Sequence, residues 1–117
     1  MFKSLFAGLE QSLPGMKAIA LVGDDGIEVD SYVKDDLPHE VLSAEMNGIL
    51  RNLDRLRHEL ELGKLTEVIL RTQNQNIILF SLAEGLFILL VTEPTETTGR
   101  ARFEIQRLAP KFVEILK

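Results

Sequence analysis

The side chains best suited to chemistry in this sequence are few and poorly grouped. Asp24-Asp25 and Asp35-Asp36 are paired carboxylates, units that serve general acid–base work when a cleft drives two pKa values apart. The first pair precedes Gly26 in a turn pattern, where aspartates bond their own backbone. The second precedes a long helical pattern, where acidic residues suit the positive end of the dipole. His39 and His58 stand far apart, without HExxH or comparable carboxylate spacing, so they do not read as a zinc site. Gly63-Lys64 lacks the upstream glycine and the following hydroxyl of a phosphate-cradling GxxxxGKS/T loop. No serine sits in a G-x-S-x-G turn. The chain has no cysteine, which excludes thiol catalysis, disulfides and thiolate ligands. The expectation is a protein with no active site, no metal and no other cofactor.

One polar group remains. Arg51 and Arg55 lie at i, i+4, with Asp54 and His58 beside them, which on a helix makes one charged face. A solvated stripe in which the arginines pair with Asp54 and Glu59 explains it at about 0.3–0.5 kcal/mol per pair. The functional reading is a surface that recognises another protein. Nucleic acid is a poor partner for this chain. It carries 13 basic against 18 acidic residues, net −5, and phosphate neutralisation needs a basic stripe that the interleaved Asp54, Glu59 and Glu61 break up.

The elements that must position these residues follow from periodicity. The chain has 117 residues, 45% hydrophobic and 26% charged, which fits one folded domain over 1–117. Phe2, Leu5, Phe6, Leu9 and Leu13 recur at helical spacing, and Pro14-Gly15 stops that helix. MKAIALVG (16–23) and IEVDSYV (27–33) form a hairpin around Asp24-Asp25-Gly26, with Gly26 at positive φ. In the second strand Ile27, Val29 and Val33 alternate with Glu28, Asp30 and Tyr32, so one face is wet or partly covered. Residues 37–62 form a long helix closed by Gly63. Leu42, Met46, Ile49, Leu53, Leu56 and Leu60 run along it at alternating spacings of four and three, an a/d-type seam. Gly48 inside that helix marks a close helix approach. Strands follow at 65–72, 76–82 and 86–92, turning at Gln73-Asn74-Gln75 and at Ala83-Glu84-Gly85. The consecutive apolar runs Ile77–Phe80 and Leu86–Val91 need cover on both sheet faces. A final helix opens after Pro94 with Thr95 or Thr97 as N-cap, and Pro110 predicts a kink or break in it. The six phenylalanines fall mostly on core faces. The fold class is α/β (α+β): a three-layer α/β/α sandwich on a five-stranded antiparallel sheet.

The first 15 residues lack both an apolar h-region and a cleavage pattern, and no apolar run reaches the length of a membrane span. A soluble cytoplasmic protein is expected. The 42–60 seam offers more apolar surface than one sheet face of a monomer covers. The strand at 65–72 is an unprotected edge if left alone. Isologous pairing answers both, so a dimer interface is assigned to Leu42, Met46, Ile49, Leu53, Leu56, Leu60, Val68 and Leu70.

Several segments taken in order resemble the Roadblock family, named for dynein light chains and including bacterial gliding-motility regulators of the MglB type. They are Val22-Gly23-Asp24-Asp25-Gly26-Ile27-Glu28-Val29, then Leu62-Gly63-Lys64-Leu65 leading into Glu67-Val68-Ile69-Leu70. Gly85-Leu86-Phe87-Ile88-Leu89-Leu90-Val91 and Thr98-Gly99-Arg100-Ala101-Arg102 complete the set. The resemblance implies a sheet order of 2-1-5-4-3, with the long helix alone on one face and the terminal helices on the other. It also implies dimers formed through the long helices and third strands, and a non-enzymatic module that regulates or scaffolds a Ras-like small GTPase. Under it, Arg51, Asp54, Arg55 and His58 would meet that partner. Pro110 departs from the family pattern, and the chain ends soon after it, without the C-terminal extension some relatives carry. Two other readings stay open. One is a small-molecule sensor, which needs a polar group in an apolar pocket that strands 77–80 and 86–91 hardly supply. The other is a structural dimer, homo- or heterodimeric, that pairs only with chains of its own fold.

Overall fold

The structure is a computed structural model that describes residues 2–34 and 36–116. Asp35 lies outside them, so the Asp35-Asp36 pairing has no structural counterpart here. The order is α1 (Lys3–Ser12), β1 (Met16–Gly23), β2 (Glu28–Val33), α2 (His39–Glu59), β3 (Glu67–Arg71), β4 (Asn76–Ala83), β5 (Leu86–Thr92) and α3 (Thr98–Leu116). The sheet is antiparallel in the order β2-β1-β5-β4-β3, as the resemblance implied. Gly26 and Gly85 both have positive φ, 81° and 78°, the conformation their tight turns demand.

Alternate residues of the central strands feed two cores. Ile19, Leu21, Ile78, Ile88 and Leu90 face α1 and α3, while Ala18, Val22, Leu79, Leu89 and Val91 face α2. Continuous apolar runs in β4 and β5 are therefore what a sheet covered on both sides requires.

The last helix runs unbroken through Pro110, contrary to the expected kink or break. A proline costs a helix interior about 3 kcal/mol. Beyond it, Phe112 is fully buried and packs on Phe2 and Phe6, with ring centroids 5.6 and 5.8 Å away. That burial is worth a comparable amount and anchors the helix past the missing donor. Thr97 is the N-cap, its hydroxyl accepting the Arg100 N–H at 3.3 Å. Phe103 departs from the core assignment: it points away from the buried Ala101–Ile105–Leu108–Phe112 stripe into solvent.

The long helix is shorter than 37–62, about 31 Å at 1.5 Å per residue. It ends early because Glu61, with φ 54°, turns left-handed two residues before Gly63, which is itself left-handed at φ 86°. The Leu62 N–H then returns to the Arg57 carbonyl at 2.9 Å, closing a Schellman turn. Among the described residues no helix is long and apolar enough to cross a membrane.

Candidate functional site

The second half of α2 and the outer edge of β3 carry most of the surface that the fold leaves unfinished. At roughly 100° per residue, Leu42, Ile49, Leu53, Leu56 and Leu60 share one flank of α2. Arg51, Asp54 and His58 occupy the opposite flank, and Arg55 lies on the crest between them, away from the sheet. The helix thus separates the two sets of residues assigned from the sequence.

Burial divides the seam further. Met46 is 8% exposed and packs on the sheet of its own subunit, so it belongs to the internal core. Leu42 and Leu53 are half-buried, and Leu42 packs beside Met46. Ile49, Leu56 and Leu60 stand 42, 44 and 60% exposed. Val68 is half-buried and points to the α2 side of the sheet, and Leu70 shares that side with 39% exposed. Gly48 has open space where a Cβ would stand, so nothing in this chain makes the close approach assigned to it.

The polar flank is partly committed to its own subunit. The Arg51 guanidinium and the Asn47 amide both donate to the Asp24 carbonyl at 3.2 Å, tying α2 to the β1–β2 hairpin tip. Asp54 pairs with Arg57 at 2.6 Å and lies 3.9 Å from His58, not with Arg51 or Arg55. Arg55 is exposed. Between this flank and the β4–β5 turn runs an open groove of about 890 Å³, with Leu50, Val68 and Phe87 in its floor and Asn47, Arg51 and Asp54 on its rim.

Sequence spacing gave no hint of two further clusters. Glu28 is nearly buried, and its carboxylate accepts from His39 Nδ1 at 2.8 Å and from the Ser43 hydroxyl at 2.7 Å. A register shift opposite Leu21/Val22 places Glu28 on the α2 face and turns Val29 outward. That corrects the alternation expected for this strand: Ile27 and Val29 are the exposed residues. Serine and imidazole both bond the carboxylate and not each other, so the cluster ties β2 to α2 and does not prepare a nucleophile. On the other face, Arg102 of α3 meets Glu67 of β3 at 2.6 Å. Glu67 Oε2 is buried and has no partner among the described residues.

The two outer strands treat their free edges differently. In β2 the outward Ser31 has both backbone groups occupied. Its N–H donates to Asp30 Oδ1 at 2.8 Å, and its carbonyl accepts from Lys3 Nζ at 2.7 Å. Burial works against the charge on Asp30, but the Ser31 N–H and the Lys3 ammonium outweigh it and hold the carboxyl below its usual range. Beside it the Tyr32 hydroxyl donates to Glu10 at 2.9 Å, which raises its pKa. In β3, Thr66 and Thr72 turn their backbone groups toward β4 and its turn. By strand alternation Glu67, Ile69 and Arg71 then direct theirs outward. No hydrogen bond from another element reaches those groups among the described residues.

The domain thus has three layers, an exposed apolar flank on α2, and two unlike sheet edges, one with the Ser31 backbone groups occupied and one with those of Glu67, Ile69 and Arg71 free among the described residues. The model of the Roadblock/LC7 domain matches residues 5–92, and the chain belongs to that family. Comparison with curated proteins finds no match. Among solved structures it is similar to a Roadblock/LC7 domain from Streptomyces avermitilis, with a TM-score of 0.81 and 17% identity over 94% of this chain and 92% of that one. It is also similar to Myxococcus xanthus MglB, with a TM-score of 0.83 and 12% identity over 93% and 89% of the two chains. MglC from Myxococcus xanthus gives a TM-score of 0.65 and 23% identity over 94% of each. At these identities the likeness is one of fold.

Proposed function

We propose that this chain is a dimeric interaction module that binds and regulates, or scaffolds, a Ras-like small GTPase and performs no chemistry of its own. The observation that carries the reading is the exposed flank Ile49–Leu56–Leu60, which shares a side of the sheet with Leu70 and the open β3 edge. Side chains exposed this far gain about 1 kcal/mol each when a partner covers them. A contiguous apolar surface of this kind marks an association site. With the apolar flank of α2 spent on the dimer, the Arg51–Asp54–Arg55–His58 side faces outward, available to a third chain. A Roadblock/LC7 domain with MglB and MglC among its structural neighbours supports a regulatory interaction role. The GTPase as partner comes from the family resemblance.

Two variants test the two halves of this reading. Leu56→Asp, at an exposed position, is expected to keep the fold by circular dichroism and to sediment as a monomer. The pair Arg51→Glu and Arg55→Glu is expected to stay dimeric and to lose binding to a small GTPase. Unchanged GTPase binding by that double variant discards the assignment of the polar flank.

A further inference from the structure

We infer that the α3 side of the sheet carries a second docking site, which takes an arginine side chain from a partner polypeptide. The arginine stem lies on Phe80 and Val113, and its guanidinium sits between the Gln106 carbonyl and Glu114. The site is across the sheet from α2, so it goes beyond the reading above and does not depend on it.

Pro110 is the observation that points there. It lies inside α3 and is exposed, so its ring adds little to the core while it weakens the helix. A proline has no N–H to give the carbonyl four residues back, which here belongs to Gln106. Gln106, Pro110 and Glu114 follow one another at i, i+4 and i+8 and form one row along the helix. All three are exposed. Helix carbonyls point toward the C-terminus, so the unfilled acceptor at Gln106 faces the Glu114 end of the row.

That row is one wall of an open groove of about 580 Å³ between α3 and the end of β4. Phe80, Leu82, Ala109 and Val113 are half-buried in its floor, and Glu114 is the one charged residue among those that line it. An apolar floor beside a carboxylate and an unfilled carbonyl suits a long aliphatic stem that ends in N–H donors and positive charge. Arginine has both, and its five donors in one plane can serve two acceptors at once. Its stem covers apolar surface while the head stays at the polar rim. The same carboxylate repels phosphate and carboxylate ligands, and a net charge of −5 favours the approach of a basic partner. A free small molecule would leave much of its surface in water in so open a groove, so the arginine is one held by its own chain.

The test follows the backbone amides of the isotope-labelled chain by NMR during titration with a capped pentapeptide, one arginine flanked by alanines. Its citrulline counterpart keeps N–H donors and loses the charge. Saturating shifts confined to residues 80–82 and 106–114 are expected, with binding at least fivefold weaker for the citrulline peptide. E114Q is expected to bind the arginine peptide at least fivefold more weakly. E45Q, the same charge change at an exposed position of α2, is expected to bind as wild type. P110A restores the missing N–H, so it is expected to fold as wild type by circular dichroism and to bind at least threefold more weakly. Wild-type binding by P110A takes the carbonyl out of the site, and wild-type binding by E114Q takes out the carboxylate; either result overturns the assignment. Shifts scattered over the surface that E45Q weakens as much as E114Q overturn it too. So does the absence of any saturable shift at millimolar peptide.

Discussion

The β2 and β3 edges bound the same sheet and differ in almost every device that governs strand pairing. At β2 a bulge turns Val29 out of line, Asp30 and Lys3 occupy both backbone groups of Ser31, and Glu28 is drawn under α2 by His39 and Ser43. At β3 the strand is straight, Glu67, Ile69 and Arg71 offer unpaired backbone groups, and Ile69 and Leu70 are exposed. Natural sheets defend their edges with bulges and inserted charges. This contrast is the pattern expected if the proposed dimer pairs through the β3 edge. In the proposed dimer the blunted β2 edge would keep the assembly closed, because a chain with two open edges would continue into a ribbon.

Breaking the open edge has the largest expected effect. Ile69→Pro removes an N–H that points away from β4 and so spares the internal ladder. It is expected to weaken dimerisation about a hundredfold, the equivalent of roughly 3 kcal/mol, with the monomer fold retained by circular dichroism. Wild-type dimerisation by this variant would remove β3 from the interface. Disturbing the closed edge should act on stability and leave association alone. Glu28→Ala leaves the fully buried Ser43 hydroxyl without its acceptor and is expected to cost about 2 kcal/mol in denaturant unfolding, with the dimerisation constant unchanged.

The smallest effect concerns acid stability. Asp30 has a folded pKa below its ordinary 3.8, so its contribution is present above that value and disappears as pH falls through the folded pKa. Asp30→Asn is expected to lower stability at neutral pH slightly and to flatten the loss below pH 3.8. An acid limb as steep as that of wild type would show that Asp30 carries none of it.

The sheet was readable because its signals are local. Gly26 and Gly85 mark the hairpins, and the apolar runs in β4 and β5 announce cover on both faces. The misreadings arose where the outcome depends on residues distant in sequence. Glu61 took the left-handed turn because the helix could close there through Arg57 and Leu62. Pro110 was tolerated because Phe112 had Phe2 and Phe6 to pack against. The seam pattern was real but did double duty, with Met46 serving the subunit core and Ile49, Leu56 and Leu60 left for a partner. Glu28 and His39 lie 11 positions apart, and their meeting depends on a bulge that no spacing rule encodes. Nor does any spacing announce that Glu67 holds Arg102 and keeps one oxygen unpaired.

Sedimentation of the wild-type chain at low micromolar concentration separates a pair from a single copy. A species of two 13.2 kDa chains is expected, reverting to one on substitution of Leu56 by aspartate. A wild-type monomer, folded and stable with its α2 flank and β3 edge still bare, would rule out the dimer.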